Sequence, residues 1–308
     1  MSLRLTILGC HSATPRSLAY PTSQYLEMNN RGILIDCGEG TQRQLRKYKV
    51  KFSRIDMICI SHLHGDHLYG LIGLLSTLSL LNRTSELKLF GPKGIREVIE
   101  LQLKVSESWI GYPLVIEELS SRQSTCIFED ENLEVHTIPL KHRIYTNGFL
   151  FREKPQQRKL DMKAIGRFPE IDICDYQNIK NGRDFRTSNG TVVPNSELTE
   201  DPPSVLQYAF CSDTAYSERI VGHIENVDLL YHESTFLEAH AELAEKTKHA
   251  TARQAGRIAR LAGAKKLVLG HYSSRYKDIN LFLEEAQTEF DEVELSLPGK
   301  VFEIHNTK

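Results

Sequence analysis

Short apolar runs open the chain at 3–8, 23–28 and 33–36. The last two flank Asn29-Asn30-Arg31-Gly32, a turn signal, so a hairpin is expected after a first strand. Gly38 to Gly40 lead into a helical segment at 41–48. The run IDMICI at 55–60 predicts a buried strand, and 68–81 an apolar helix after it. A strand at 87–90, stopped by a turn at Gly91-Pro92, precedes a helix at 95–105. Strand patterns then follow one another at 114–119, 124–129, 133–138 and 147–152. From about 152 to 203 the periodicity fades and no core pattern is evident. Beyond it, strands at 205–211, 228–231 and 266–269 alternate with helices near 237–246, 251–262 and 279–290, and a strand at 301–304 closes the chain. Two β-then-α halves imply an α/β fold in which two sheets pack together with helices outside, a four-layer αββα arrangement. The expected organisation is one domain over 1–308, with 152–203 as an inserted arm.

A length of 308 residues with 40% hydrophobic and 25% charged positions excludes disorder, collagen and coiled coil. The longest apolar stretch, 71–81, falls short of the ~18–20 residues a membrane span needs. The opening MSLRLTILGCHSATP lacks a secretory pattern. Six cysteines (10, 37, 59, 126, 174, 211) contain no C-x-x-C pair, which fits reduced thiols in a cytoplasmic protein. The net charge of −2 conceals asymmetry: 141–186 carries eleven Lys/Arg against six acids, whereas 187–245 carries one basic residue and eleven acids. Residues 41–54 hold six basic side chains and no acid. Binding of a polyanion follows such local fields; solvated helix faces are the plainer account.

The chemically informative stretch is His62-Leu63-His64-Gly65-Asp66-His67, directly after the apolar strand. Imidazoles bunched at the end of a buried strand repel when protonated and are poorly satisfied when neutral, and a divalent cation removes both difficulties. The donor types suit zinc, with manganese or cobalt as substitutes.

H-x-H-x-D-H resembles the signature of the metallo-β-lactamase superfamily. That resemblance implies further ligands at the ends of later strands, and His142, Asp213 and His271 stand there in order. It implies two metal ions, one held by His62, His64 and His142, the other by Asp66, His67 and His271, with Asp213 bridging. Two such ions lower the pKa of a shared water and clamp a phosphoryl oxygen, and Asp66 is placed to orient that water or take its proton. Asp36 is expected to hydrogen-bond a ligand histidine.

Further runs resemble ribonuclease Z, the family that trims the 3′ ends of precursor tRNA. They are Gly38-Glu39-Gly40-Thr41-Gln42-Arg43-Gln44, Ser61 to His67 with Gly70-Leu71, Ser212-Asp213-Thr214, His232-Glu233-Ser234-Thr235-Phe236, Lys248-His249-Ala250-Thr251-Ala252 and His271-Tyr272-Ser273-Ser274-Arg275-Tyr276. The likeness implies an endonuclease leaving a 3′-hydroxyl on the tRNA and a 5′-phosphate on the trailer. It also implies two Zn2+ per subunit, His249 as the acid that protonates the leaving oxygen, Glu233 as its orienting carboxylate, and a homodimer. In that family the 152–203 slot holds an arm that grips tRNA. Lys154, Arg158, Lys159, Lys163, Arg167, Lys180, Arg183 and Arg186 are then candidate phosphate contacts, with Arg275 another near the site. Two departures stand out. The arm carries Gly166-Arg167-Phe168-Pro169-Glu170-Ile171-Asp172 in place of a Gly/Pro-rich tip, and 14–23 keeps Pro15 and Arg16 but not the rest of a P-x-K-x-R-N loop that senses the CCA end. The competing reading is a small-molecule phosphodiesterase or arylsulfatase on the same fold, which would need no basic arm.

Overall fold

The computed structural model describes residues 2–14 and 19–306. Pro15 and Arg16 of the altered loop lie outside the described residues. The described chain divides into two compact units: residues up to Arg152 with Leu206–His305, and Glu153–Val205 with Asn306.

The larger unit is built on two seven-stranded sheets. The first runs, in spatial order, Val301–His305, Ser2–Gly9, Ser23–Met28, Arg31–Ile35, Ile55–Cys59, Leu87–Pro92 and Leu114–Leu119. The second runs Val293–Leu295, Leu267–Gly270, Leu229–Glu233, Gln207–Cys211, Asn147–Glu153, Leu133–Pro139 and Cys126–Glu129. Inner-face residues of both sheets, among them Leu5, Leu26, Ile35, Phe149, Phe151, Tyr208 and Phe210, form one buried cluster. Replacing fully buried Phe210 by alanine would cost about 3–5 kcal/mol through lost burial and the cavity left. A second cluster joins Ile58, Ile60 and Leu89 to Leu74, Leu75, Leu78, Ile95 and Ile99 of the helices Leu71–Leu80 and Ile95–Val105, which cover the first sheet. On the second sheet the helix Ala252–Ala262 buries Ile258 together with Ala255, Ala259 and Ala262, small residues that let it sit close. Thr251 starts that helix: its hydroxyl accepts from Gln254 N at 3.2 Å, and its own N–H donates to Gln254 Oε1 at 3.0 Å.

The predicted four layers are present, with local differences. The expected helix over 68–81 is divided into a single turn, Gly65–Leu68, and the helix Leu71–Leu80. Gly70 N donates to Cys37 O at 2.8 Å, and a Cβ at Gly70 would lie 2.2 Å from Gly38 O, so the chain breaks where it passes another backbone. Gly91 and Pro92 are not a turn but continue a strand, pairing with Glu118 and Leu119 beyond the end of Ile55–Cys59, where proline's missing N–H interrupts no ladder. The edge strand Val293–Leu295 went unforeseen because three residues carry too little pattern.

In the smaller unit, where no core pattern was legible, Ile165, Ile171, Ile179, Val193 and Leu198 come from short helices and two-residue ladders to form a compact cluster. Asp161 caps one helix, accepting from Lys163 N and Ala164 N at 2.8 and 3.1 Å. Arg158 is engaged inside this unit: it donates to Thr199 Oγ1 at 2.6 Å and pairs with Asp201. Lys159, Lys163 and Arg167 are exposed.

Candidate metal centre

Parallel strands deliver the chemistry at their carboxyl ends, the position from which open α/β sheets characteristically present ligand-binding groups. Ile55–Cys59 leads to His62, His64, Asp66 and His67; Gln207–Cys211 to Asp213; Leu267–Gly270 to His271; and Arg31–Ile35 to Asp36. His142 follows the antiparallel strand Leu133–Pro139. Asp36 and His271 hold φ of 56° and 62°, a left-handed backbone uncommon outside glycine, where these side chains are aimed.

All seven residues expected as metal ligands meet. His62, His64, His142 and Asp213 form one group of converging donor atoms, and Asp66, His67 and His271 another. His62 Nε2 and His142 Nε2 lie 3.0 and 3.3 Å from His64 Nδ1, and His67 Nε2 lies 3.3 Å from His271 Nε2. Asp213 faces both groups. Its Oδ1 is 3.2 Å from His271 Nε2 and 3.4 Å from His67 Nε2, and its Oδ2 is 3.6 Å from His62 Nε2. A tetrahedral site with bonds of ~2.0–2.1 Å has donor-to-donor edges of roughly 3.3 Å, so these separations match the edges of coordination polyhedra. Asp213 Oδ1 is buried without a hydrogen-bond partner, as an oxygen facing a cation would be. The residues present therefore fit divalent metal.

The outer ring nitrogens are tied down separately. His67 Nδ1 donates to Asp36 Oδ2 at 2.7 Å, His62 Nδ1 to Ser61 Oγ at 3.0 Å, His142 Nδ1 to Lys248 O at 2.8 Å and His271 Nδ1 to Thr235 Oγ1 at 2.8 Å. Each bond leaves Nε2 of its ring as the free donor. Asp36 thus orients one histidine directly and a second through Ser61, whose N and Oγ donate to it at 2.7 and 2.9 Å.

Electrostatics agree with cation binding. Burial keeps His62 well below the ordinary imidazole range, and lowers His64 and His142 as well. Burial would likewise depress His67, but the Asp213 and Asp36 carboxylates outweigh it and hold that ring well above its usual range. Two carboxylates facing one ring call for positive charge, which a divalent cation supplies as well as a proton. Against burial, His271 and His67 hold Asp66 and Asp213 far below the usual carboxylate range.

Beside this cluster, fully buried Glu233 accepts from His249 Nδ1 at 2.8 Å, Thr214 N at 2.9 Å, Thr235 N at 2.9 Å and Thr235 Oγ1 at 2.6 Å. Burial lowers the His249 pKa, but the Glu233 charge overcomes it and holds the ring at about 9. A backbone bridge between Phe236 and Thr251 brings the His249 loop to the Glu233 strand. His249, His64, Asp66, Asp213 and His271 all border one cleft of about 390 Å³.

Some contributors escaped sequence reasoning. Thr235 links Glu233 to His271, and although it sits in a quoted run, nothing there marked its hydroxyl. Ala13 N donates to Asp66 Oδ2 at 2.8 Å, a backbone contact that leaves no trace in sequence. Exposed Arg143 borders the cleft, and its only signal was adjacency to His142. Arg275 is exposed, with no ion pair recorded among the described residues.

Two sheets flanked by helices, with a histidine-rich cluster at their strand ends, define a metallo-β-lactamase fold. A Bacillus subtilis protein of that fold, YhfI, is similar at 19% identity with a TM-score of 0.69 over 98% of this chain and all of its own. The short form of human tRNase Z matches at 27% identity, TM-score 0.71, over 97% of this chain and 98% of its own. A ribonuclease Z from Bacteroides fragilis is 44% identical over 93% of this chain and 94% of its own length. The family model for anti-Pycsar protein Apyc1 matches residues 3–108. The chain belongs to the ribonuclease Z family.

Proposed function

We propose that this protein is a metal-dependent endoribonuclease that cuts precursor tRNA at its 3′ end, leaving a 3′-hydroxyl on the tRNA and a 5′-phosphate on the trailer. The observation that carries this reading is one cleft in which two donor clusters share Asp213 and the His249–Glu233 pair stands at the wall.

The donor set suits two Zn2+ per subunit, with Mn2+ or Co2+ as substitutes. His62, His64, His142 and Asp213 would hold one ion; Asp66, His67, His271 and Asp213 the other. When bound, such a pair supplies an activated water and Lewis acidity at a phosphoryl oxygen. Asp66, anchored by Ala13 N, orients the attacking water or accepts its proton. As the bond from phosphorus to the 3′ oxygen breaks, protonated His249 delivers its Nε2 proton to that oxygen, so the tRNA leaves as an alcohol. Glu233 fixes the ring through Nδ1 and favours its charged form.

The 152–203 arm serves as the tRNA-binding exosite, with Lys154, Lys159, Lys163 and Arg167 as phosphate contacts; Arg158, tied to Thr199 and Asp201, is left to a structural role. Arg275 contacts phosphate near the site. The working form is a homodimer. Supporting this, Leu80, Val105 and Trp109 are 81%, 75% and 79% exposed, and a hydrogen bond from Gly111 N to Ser79 Oγ holds their segments together. No described helix is long and apolar enough to cross a membrane. The six unpaired cysteines favour a reducing, cytoplasmic setting.

The test is incubation of metal-replete protein with two 3′-extended pre-tRNA transcripts, one encoding CCA and one not, with product ends mapped to the nucleotide. A single cut near the discriminator base that Asp66→Ala abolishes supports the reading. Turnover of small phosphodiesters or sulfate esters without RNA cleavage would transfer the protein to small-molecule hydrolysis.

A further inference from the structure

The basic run at 41–54 takes no part in the metal centre. Lys49, Lys51 and Arg54 from this run border a second cavity, of about 570 Å³, together with Arg4, Arg31, Tyr25 and the Asn29–Asn30 turn. The cavity lies at the opposite end of the first sheet from the metal centre. Arg54 precedes the strand Ile55–Cys59 and His62 follows it, a separation of about 25 Å at ~3.3 Å per residue. A scissile phosphate cannot occupy both places.

The charges of its wall are not used up internally. Arg4 pairs with Glu27 and Glu303 at 2.7 and 3.1 Å, and Arg31 with Asp130 at 2.5 Å. Glu27, the one carboxylate of the wall, is thereby neutralised. Among the described residues no ion pair engages Lys49, Lys51 or Arg54, so three cations face this concavity without a counter-charge.

A neutral donor on the cavity wall is a further observation. Tyr25 borders the cavity, and its hydroxyl makes no hydrogen bond among the described residues. Gly32 makes room for it, since a Cβ there would stand 2.2 Å from Tyr25 Oη. Burial, reinforced by Glu27 and Asp56, pushes the phenol well up, so the hydroxyl stays a neutral donor. A neutral hydroxyl on the cavity wall can donate to an oxyanion placed there.

We propose that this cavity is a second anion site that takes the phosphate of a nucleotide-sized ligand. Lys49, Lys51 and Arg54 bind the phosphate oxygens, and Tyr25 donates one further hydrogen bond. The volume falls in the range of small-ligand sites. The half-buried Tyr48 ring also borders the cavity, with the Lys47 ammonium 5.3 Å from its centroid.

Calorimetric titration of the metal-loaded full-length protein at low salt decides the matter, with 5′-AMP as probe and 2′-O-methyl oligouridylate as competitor. Lys51→Ala/Arg54→Ala should weaken 5′-AMP binding at least about ten-fold, and Tyr25→Phe by a smaller factor. Both variants should hydrolyse bis(p-nitrophenyl) phosphate at the wild-type rate, because none of these residues touches the metal centre. Displacement of 5′-AMP by the oligonucleotide would identify the source as an RNA strand, and its failure to compete a free nucleotide. Equal 5′-AMP affinity in wild type and the double variant, or no saturable binding to wild type, would overturn the proposal.

Discussion

Glu233 Oε1 accepts the Nδ1 proton of His249 at 2.8 Å, and three donors from Thr214 and Thr235 hold the same carboxylate in place. A carboxylate so fully satisfied keeps its charge despite complete burial, and that charge holds the His249 proton. A general acid works protonated, so cleavage should fall as pH rises through the His249 pKa. Alone the pair sets this at about 9. Cations bound nearby draw it down, placing the falling limb below that value. Glu233→Gln should move that limb to lower pH. His249→Ala should remove it and slow kcat about 10²–10⁴-fold at unchanged metal content. Loss of metal from His249→Ala would make the ring a ligand instead.

Asp66→Ala should reduce single-turnover cleavage by roughly three orders of magnitude or more while filter binding of pre-tRNA persists. Appreciable turnover by this variant would end the role assigned to Asp66.

Asp36 is tied to two histidines of the donor cluster, His67 directly and His62 through Ser61. Asp36→Asn should weaken metal affinity about 10–100-fold, read by chelator competition. Unchanged affinity would reduce Asp36 to a backbone anchor for Ser61.

Metal removal should also lower stability, because Asp66 and Asp213 are then left facing each other across buried imidazoles. A ligand present at 100 times its Kd contributes about 2.7 kcal/mol, so chelation should lower Tm by about 5–10 °C in a domain of this size. An unchanged melting curve in differential scanning calorimetry would argue that the cluster binds no metal under those conditions.

Arg152 and Gln207 are register partners on adjacent antiparallel strands, so a short Gly-Ser linker can replace residues 154–205 without parting the sheet. The shortened protein should hydrolyse bis(p-nitrophenyl) phosphate normally and bind tRNA at least about ten-fold more weakly, with a shallower salt dependence. Equal loss on both substrates would assign the arm to fold support.

The strands that lead to the donor cluster were legible because their signals are local. IDMICI is an uninterrupted apolar run, and His62 to His67 stand within six residues of one another. The 152–203 segment was opaque because its core residues, such as Ile165 and Val193, are scattered singly among polar neighbours. The break at Gly70 was hidden for a similar reason, since its cause is the backbone of Gly38.

Taken alone, the sequence determined the two β-then-α halves, the identity of the donor residues and the motifs of the family, all of which depend on side-chain type and short spacing. Tertiary structure decided how they meet. Asp213 faces both clusters, Asp36 reaches His67, Thr235 joins Glu233 to His271, and Tyr25 waits beside Lys51 and Arg54. These relationships depend on strand register and on positive-φ turns such as Asp36 and His271, which bring together groups as many as about 200 residues apart. Local pattern carries no such information, because the free energy that places them is the burial of two sheet faces against each other.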